Sequence, residues 1–229
     1  MLQSWRRLTY VHWPVDPEQV DRNLPPGVTV DTIGGAAWIG LVAFEMQRIR
    51  IPRTPAIPYF GTFPETNVRT YVRDSSGRPG VWFDSLDITR LLPVTVARTA
   101  YRLPYMWANM TIQEAGGVIE YRARRRWPGP RNASSYLSVE PGEAIPESEQ
   151  SPLERFLTAR WGLYTMLGSR LAYAPVDHPT WPLQNALLRN VGDEFVAAAG
   201  YQVGNADPVV HYSDGVDVRI GLPRRLETA

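Results

Sequence analysis

The chain of 229 residues contains no cysteine and no lysine, so its 24 Lys+Arg residues are all arginine, and its formal net charge is +1. These numbers exclude disulfide bonds, thiolate metal ligands, and covalent catalysis through a cysteine thiolate or a lysine Schiff base. The charge balance argues against a nucleic-acid partner, and without a long apolar stretch or a signal-peptide-like start we expect no membrane span and a cytoplasmic location.

Segments rich in β-forming residues make up most of the chain, and their composition and alternation predict strands. Turn residues at 75–80 and at 114–117 join neighbouring strands into two hairpins. The predicted strands cover Arg7–Val15, Ala36–Ile49, Glu65–Arg73, Val81–Ile88, Met106–Gln113, Val118–Trp127, Tyr136–Val139, Leu171–Val176 and Val209–Ile220.

Three helices are predicted between these strands. Asp16 stands before a proline, as an N-cap does, and this helix is expected to end near Leu24. A capping box predicts a second helix over Ser151–Leu167, and Asn185–Ala199 has the pattern of a third. The segment Pro93–Tyr101 fits either a helix or a strand. Together the elements predict one α+β domain over residues 1–229, built on a strongly bent, mostly antiparallel sheet that forms a β-barrel.

The most informative local pattern is the run from Glu65 to Arg69. A strand period of two places Glu65, Asn67 and Arg69 on one face. That face is either a solvated row of charges or the polar lining of the barrel interior, and alternation does not decide between them. In the second case Arg69 is placed to bind a substrate carboxylate and Glu65 to exchange protons.

Four further residues carry weaker signals. Arg98 lies in an apolar and hydroxylic segment, where an arginine either extends outward or is paired inside. The three histidines, His12, His178 and His211, form no short metal-binding motif. A metal-dependent enzyme therefore depends on their convergence in space.

Eight strings, in chain order, resemble one known family. They are Leu8–Pro17, Ala37–Val42, Asn67–Val72, Gly80–Phe83, Leu103–Tyr105, Ser151–Leu157, His178–Leu183 and His211–Val218. The chain is identified on these strings as a member of the YqjF-like family, a bacterial family without assigned function. That family in turn resembles acetoacetate decarboxylase, which implies a cone-shaped antiparallel barrel with a few covering helices and a closed internal pocket.

The resemblance to the decarboxylase also implies a set of pocket residues. Glu65 resembles a pocket glutamate on an inner strand, and Tyr105 and Met106 stand where the decarboxylase has paired lysines. Without those lysines, decarboxylation through an imine is not expected. Tyr105 is instead placed to donate a hydrogen bond to a carbonyl or enolate oxygen. The implied pocket residues are Glu65, Asn67, Arg69, Arg98, Tyr105 and Met106.

The resulting hypothesis is a small-molecule pocket protein whose ligand carries a carboxylate or carbonyl, bound by Arg69 and Arg98. If it is an enzyme, we expect non-covalent lyase, hydratase or isomerase chemistry, with Glu65 moving the proton and Tyr105 holding the oxyanion. The alternatives are a non-catalytic ligand-binding or sensing protein and a metal-dependent enzyme that uses the three histidines. We expect no cofactor, and the sequence leaves a homo-oligomer open.

Overall fold

A computed structural model describes residues 1–50, 61–90 and 102–226. Within these ranges most residues lie in one sheet of 13 strands. The strands are β1 Leu2–Val15, β2 Val28–Val30, β3 Ala37–Arg50, β4 Phe63–Asp74, β5 Pro79–Ile88, β6 Tyr105–Ala115, β7 Val118–Trp127, β8 Ser134–Ala144, β9 Gly162–Leu167, β10 Arg170–Asp177, β11 Gln184–Asp193, β12 Val209–Ile220 and β13 Arg224–Arg225. The helices of the described residues are short: α1 Pro17–Asp21, α2 Pro152–Thr158, α3 Phe195–Ala198 and a 3-10 turn at Glu147–Glu149.

The sheet closes on itself in two ways. In strand order it runs β5-β6-β7-β8-β11-β12-β1-β3-β4, and β4 pairs back with β5 to complete a ring. A second circuit forms because β9 pairs with β5 while β10 pairs with both β9 and β12. Both circuits share five strands, which are β12, β1, β3, β4 and β5. The structure therefore has two interiors, and each lies against one face of the shared strands.

Strand β3 shows why these shared strands are so apolar. Trp38, Val42 and Phe44 pack in one core cluster, while Ile39 and Leu41 pack in another on the opposite face. A strand that is buried on both faces has a nearly continuous apolar sequence. The predicted strand-rich fold with few helices is what the structure shows among its described residues. The closed ring agrees with the predicted bent sheet, whereas its cone shape stays a prediction.

Two predicted helices are wrong over most of their length. The helix predicted over Ser151–Leu167 ends at Thr158, and Gly162–Leu167 forms β9 instead. The helix predicted over Asn185–Ala199 is mostly β11, with only the one-turn helix Phe195–Ala198 after it. In both places pairing with distant strands outweighs the local preference of the sequence for a helix.

Other differences are smaller. Strand β1 begins at Leu2 and is longer than predicted, and the first helix ends at Asp21 instead of near Leu24. The ambiguous segment Pro93–Tyr101 lies outside the described residues. Among the helices that the structure describes, none combines the length and apolar character that crossing a bilayer requires.

Candidate functional site

A cavity of about 50 Å³ lies within the core cluster that is enclosed by β1, β3, β4, β5, β9, β10 and β12. This volume has room for about three to four water-sized groups. Aliphatic and aromatic side chains form much of the wall, among them Trp5, Phe83 and Trp181. The polar side chains of the wall belong to Gln3, Glu65, Asn67, Arg69, Tyr105, Thr158, Arg160 and His178.

Strand β4 supplies three of these polar groups. Glu65, Asn67 and Arg69 alternate along the strand, line the same cavity, and are 3%, 4% and 8% exposed. The row that alternation places on one face therefore points into the molecule and not into bulk water. The intervening residue Val68 belongs to the second core cluster, so the two faces of β4 serve different interiors.

Glu65 is an acid whose surroundings favour the neutral form. Burial raises the pKa of its carboxyl to about 8, the charge of Asp87 also raises it, and a hydrogen bond from the side chain of Asn67 opposes the shift. Its Oε2 atom has no hydrogen-bond partner among the described residues. A carboxyl that titrates near neutral pH and has a free oxygen is suited to proton transfer.

Arg69 lies at the other end of the same row. Its Nη2 donates to the carbonyl oxygen of Leu157 at 3.2 Å, in the last turn of α2, where helical carbonyls lack partners within the helix. Its guanidinium carbon lies 5.5 Å from the ring centre of Tyr10 and 5.6 Å from that of Tyr71. Its Nε has no hydrogen-bond partner among the described residues, and no carboxylate of the same residues forms an ion pair with the arginine. The arginine is thus held in place while one N–H remains available for an anion.

A buried row of contacts holds Arg69 from the side. His12 Nε2 lies 2.6 Å from the hydroxyl of Tyr71, which donates to the carbonyl of Leu157 at 2.8 Å. Since the tyrosine proton goes to Leu157, the histidine Nε2 carries the proton of the other bond. Burial lowers the pKa of His12 well below its usual 6.5, so the ring is neutral. A Cβ on Gly40 would lie 2.9 Å from His12 Nε2 and 3.4 Å from Arg69 Cγ, so glycine permits this close packing.

The remaining predicted pocket residues do not all lie at the cavity. Tyr105 begins β6, pairs in parallel with Leu86 on β5, and lines the cavity. Met106 follows it on the alternate side of the strand and is not among the described residues that line the cavity, so its substrate-binding role stays a prediction. Arg98 lies outside the described residues. The structure therefore brings Glu65, Asn67, Arg69 and Tyr105 to one cavity, without Met106.

Two further polar residues line the cavity: Arg160, which sequence reasoning missed, and His178, which it named among the candidate metal ligands. Arg160 lies within the wrongly predicted helix and is 2.6 Å from Asp31 in a buried ion pair. The ring nitrogens of His178 lie 2.8 Å from the carbonyl of Pro179 and 3.2 Å from that of Arg160. Arg160 is held by a residue that lies far away in the sequence, so no local spacing gives a signal for it.

The three histidines have separate partners. His12 contacts Tyr71, His178 contacts two backbone carbonyls, and His211 Nε2 lies 3.2 Å from Glu154 Oε1. Over the described ranges the structure contains no group of three or more His, Asp or Glu side chains arranged to hold a metal ion. The described residues therefore provide no metal-binding cluster that would support the metal-dependent alternative.

Comparison with known proteins shows that the chain matches one protein family. Residues 2–217 match the DUF2071 family, described as an uncharacterized conserved protein. The chain is 35% identical to the uncharacterized protein YqjF of Bacillus subtilis strain 168 over 218 residues, covering 95% of this chain and 89% of that protein.

Two solved structures show the same fold at low sequence identity. The enduracididine biosynthesis enzyme MppR, complexed with the condensation product of pyruvate and imidazole 4-carboxaldehyde, has a TM-score of 0.65 and 15% identity over 98% of this chain and 88% of its own. Acetoacetate decarboxylase from Legionella pneumophila has a TM-score of 0.68 and 12% identity over 99% and 87%. At these identities the likeness establishes the fold alone.

Proposed function

The chain belongs to the DUF2071 family, and we propose that it is an enzyme that moves a proton on a small oxo acid without forming a covalent intermediate. The observation that carries this proposal is that Glu65 and Arg69 line the wall of one cavity without contacting each other. One is a proton donor and acceptor near neutral pH, and the other is a fixed cation with an unused N–H. A carbonyl acid presents an acidic C–H and a carboxylate, which are the complementary groups.

The proposed reaction is enolisation. Arg69 holds the carboxylate, and Glu65 in its ionised form removes a proton from the carbon next to the carbonyl. As that C–H bond breaks, its electron pair forms the enolate and the negative charge moves to the carbonyl oxygen. Tyr105 then donates a hydrogen bond to this oxygen. Return of the proton to the same carbon exchanges that hydrogen, and its delivery to another atom completes an isomerisation. A hydratase or lyase step follows instead when the electron pair of the enolate expels a group from the next carbon, such as a hydroxyl that takes the proton from Glu65 and leaves as water.

The absence of lysine shapes the mechanism. A decarboxylase that forms an imine needs a side-chain amine, and the chain has none. Stabilisation of the enolate must therefore come from hydrogen bonds and charge instead of an electron-withdrawing imine. The acetoacetate and pyruvate in the names of the two neighbours support a small oxo acid as the substrate class.

A second candidate is a binding or sensing protein that takes the same ligand without turnover. The aromatic Tyr105 and the thioether Met106, at the positions where the similar decarboxylases have paired lysines, favour this candidate. It predicts an intact ligand-binding role for Arg69 and no chemical role for Glu65.

The deciding experiment is hydrogen exchange in D₂O. Pyruvate, 2-oxobutanoate and acetoacetate are incubated with the protein, and loss of the C–H signal next to the carbonyl is followed by proton NMR. We expect exchange above the uncatalysed rate, lost in E65Q but kept in E149Q, which changes an exposed glutamate. R69Q should weaken binding of the same acids, whereas R131Q on an exposed arginine should not.

Each outcome has a distinct meaning. Binding without exchange in the unaltered protein leaves the binding or sensing function. Exchange that survives in E65Q overturns the role of Glu65. Unchanged binding in R69Q overturns the anchoring of the carboxylate and with it the proposed orientation of the substrate.

A further inference from the structure

Two residues of β1 line the cavity with polar groups that the proposed reaction does not use. Gln3 is 5% exposed, and no described residue forms a hydrogen bond with its side-chain amide. The indole Nε1 of Trp5 is buried and also lacks a hydrogen-bond partner among the described residues. Buried tryptophan N–H and glutamine amide groups normally have a partner. These two groups are therefore candidates for contact with a ligand.

A change of face within β1 brings both residues to the cavity. Trp5 and Leu8 pack in the same core cluster, although odd and even positions of a regular strand lie on opposite faces. Between them the β1–β3 register shifts, and Arg7 has a φ of 50°, in the left-handed region. On the neighbouring strand Gly215 has a φ of 114°, and a Cβ there would collide with the carbonyl oxygen of Trp5. This bulge therefore turns the first residues of β1 inward.

The strand register gives the order of the polar groups along the cavity. Trp5 pairs with Met46, which pairs with Phe63, and Glu65 lies two residues further along β4. The Trp5 ring also lies 5.2 Å from the ring of Phe44, the cross-strand partner of Glu65. The polar groups therefore follow one another in the order Arg69, Asn67, Glu65, Trp5 and Gln3. Glu65 thus lies between the cation and the two groups without partners.

Gln3 and Trp5 together complement an uncharged polar group. An indole N–H only donates a hydrogen bond, whereas a glutamine amide both donates and accepts. A hydroxyl or a primary amide can accept from Trp5 while it donates to Gln3. A second anion has no such match, because the described lining residues include two arginines and neither is free for it. Arg160 is paired with Asp31, and Arg69 is assigned to the carboxylate.

We propose that Gln3 and Trp5 bind a hydroxyl or primary amide group of the substrate. That group is attached to the carbon that Glu65 deprotonates or to the next carbon. The inference rests on the proposed function, because that function assigns the carboxylate to Arg69 and the acidic C–H to Glu65. The substrate class is therefore a short 2-oxo acid with an uncharged polar end. An oxo acid with an alkyl end leaves both groups without partners and binds more weakly.

The test compares oxo acids of matched size that differ in their polar end. The polar acids are 3-hydroxypyruvate, 4-hydroxy-2-oxobutanoate and 2-oxosuccinamate, and their alkyl counterparts are 2-oxobutanoate, 2-oxopentanoate and 4-methyl-2-oxopentanoate. Calorimetry measures the dissociation constant of each acid. We expect at least one polar acid to bind about tenfold more tightly than its counterpart. The ratio within that pair should fall in Q3L and in W5F, and approach one in Q3L/W5F.

A matched control shows whether the effect is local. Q113L makes the same change at an exposed glutamine and should keep the preference for the polar acid. Thermal unfolding shows that each variant is folded. Removal of a buried polar group that has no partner should leave the unfolding temperature unchanged or raise it.

The indole N–H of Trp5 gives a second readout that needs no altered binding site. Its proton–nitrogen NMR signal is identified as the signal that is missing from W5F. In the unaltered protein this signal should move downfield when the preferred polar acid binds, because the N–H then donates a hydrogen bond. The alkyl counterpart should produce a much smaller shift at saturation.

The outcomes distinguish this inference from the proposed function. Equal affinities within every pair, with no downfield shift of the Trp5 signal, overturn the role of Gln3 and Trp5 and leave the proposed function standing. A preference that survives in Q3L/W5F means that other residues bind the polar end, which also overturns the inference. If no oxo acid binds, the proposed function fails and the inference fails with it.

Discussion

Glu65 and Arg69 lie on the same face of β4 and line the same cavity, yet they form no ion pair with each other. A separation of four residues along a strand puts their Cα atoms about 13 Å apart, and Asn67 lies between them. Each keeps one buried polar atom without a partner among the described residues. Because burial raises the pKa of Glu65 to about 8, its carboxyl is mostly neutral at pH 7 and needs no cation beside it, so both groups are left for a molecule that lies between them.

The raised pKa of Glu65 predicts a specific dependence of stability on pH. In the folded protein the carboxyl holds its proton up to about pH 8, whereas in the unfolded chain it loses it near 4.5. Stability therefore falls as pH rises between these values and levels off above 8, a change of roughly 5 kcal/mol from this group. E65Q does not titrate, so its stability relative to the unaltered protein should rise across the same window.

Urea unfolding at a series of pH values between 4.5 and 8.5 checks this prediction. Other buried acids, such as Asp84, titrate in both proteins, so the difference between the two curves isolates Glu65. Curves that stay parallel over the whole range would mean that the Glu65 carboxyl is already ionised and solvated in the folded state.

The hydroxyls of two buried tyrosines, Tyr71 and Tyr10, should contribute differently to the stability of the folded protein. Y71F removes the group between His12 and the Leu157 carbonyl, and it leaves the histidine N–H without an acceptor. We expect a loss of about 1–3 kcal/mol in the free energy of unfolding. Y10F removes a buried hydroxyl that has no partner among the described residues, so it should be neutral or stabilising. Equal losses in the two variants would contradict the hydrogen-bonded network.

Gly40 should be intolerant of a methyl group. In G40A the new carbon meets the His12 ring at 2.9 Å and the Arg69 stem at 3.4 Å. Because His12 and Arg69 are tightly packed against Gly40, we expect a loss of about 1–3 kcal/mol in the free energy of unfolding. We also expect weaker binding of oxo acids, since the methyl group displaces Arg69. Gly192 in β11 has open space around its Cβ position, so G192A is the matched control and should change neither quantity. Thermal unfolding and calorimetry measure the two effects.

A buried ion pair between β5 and β7 should be essential for stability. Arg125 Nε and Nη2 donate to the two carboxylate oxygens of Asp87 at 2.8 and 2.7 Å, and both side chains are almost wholly buried. D87N leaves the arginine charge uncompensated, and we expect a loss of about 3–5 kcal/mol in chemical denaturation. E120Q breaks the exposed pair with Arg122 and should leave the unfolding midpoint unchanged. A mild effect of D87N would show that Arg125 finds another partner.

The sequence was enough to predict which residues of β4 share a face, but not what that face meets. Alternation follows from strand geometry alone, so Glu65, Asn67 and Arg69 could be grouped from their spacing. Whether the group faces water depends on the strands that close around it, and those pairings join positions far apart. Only the resemblance to a known family favoured the inward orientation.

Long-range pairing also explains why Arg160 was missed. It is held by Asp31, a partner 129 positions away, and it lies in a segment whose start carries a strong capping box. Gly168 is in the left-handed region, which suits the end of a helix and a tight turn between two strands equally well. Local composition therefore identified where the chain changes direction, but it did not distinguish a helix from a strand on either side of the turn.

The two closed circuits have a consequence for how this scaffold changes over evolutionary time. Along β4 the side chains of Glu65, Asn67 and Arg69 line the cavity, while Val68 between them packs in the other interior. Substitutions on one side can therefore alter chemical specificity while the packing that sustains the architecture stays untouched. Such a divided strand lets a lineage change the lining of the cavity by replacing a few side chains, without rebuilding the molecule around them.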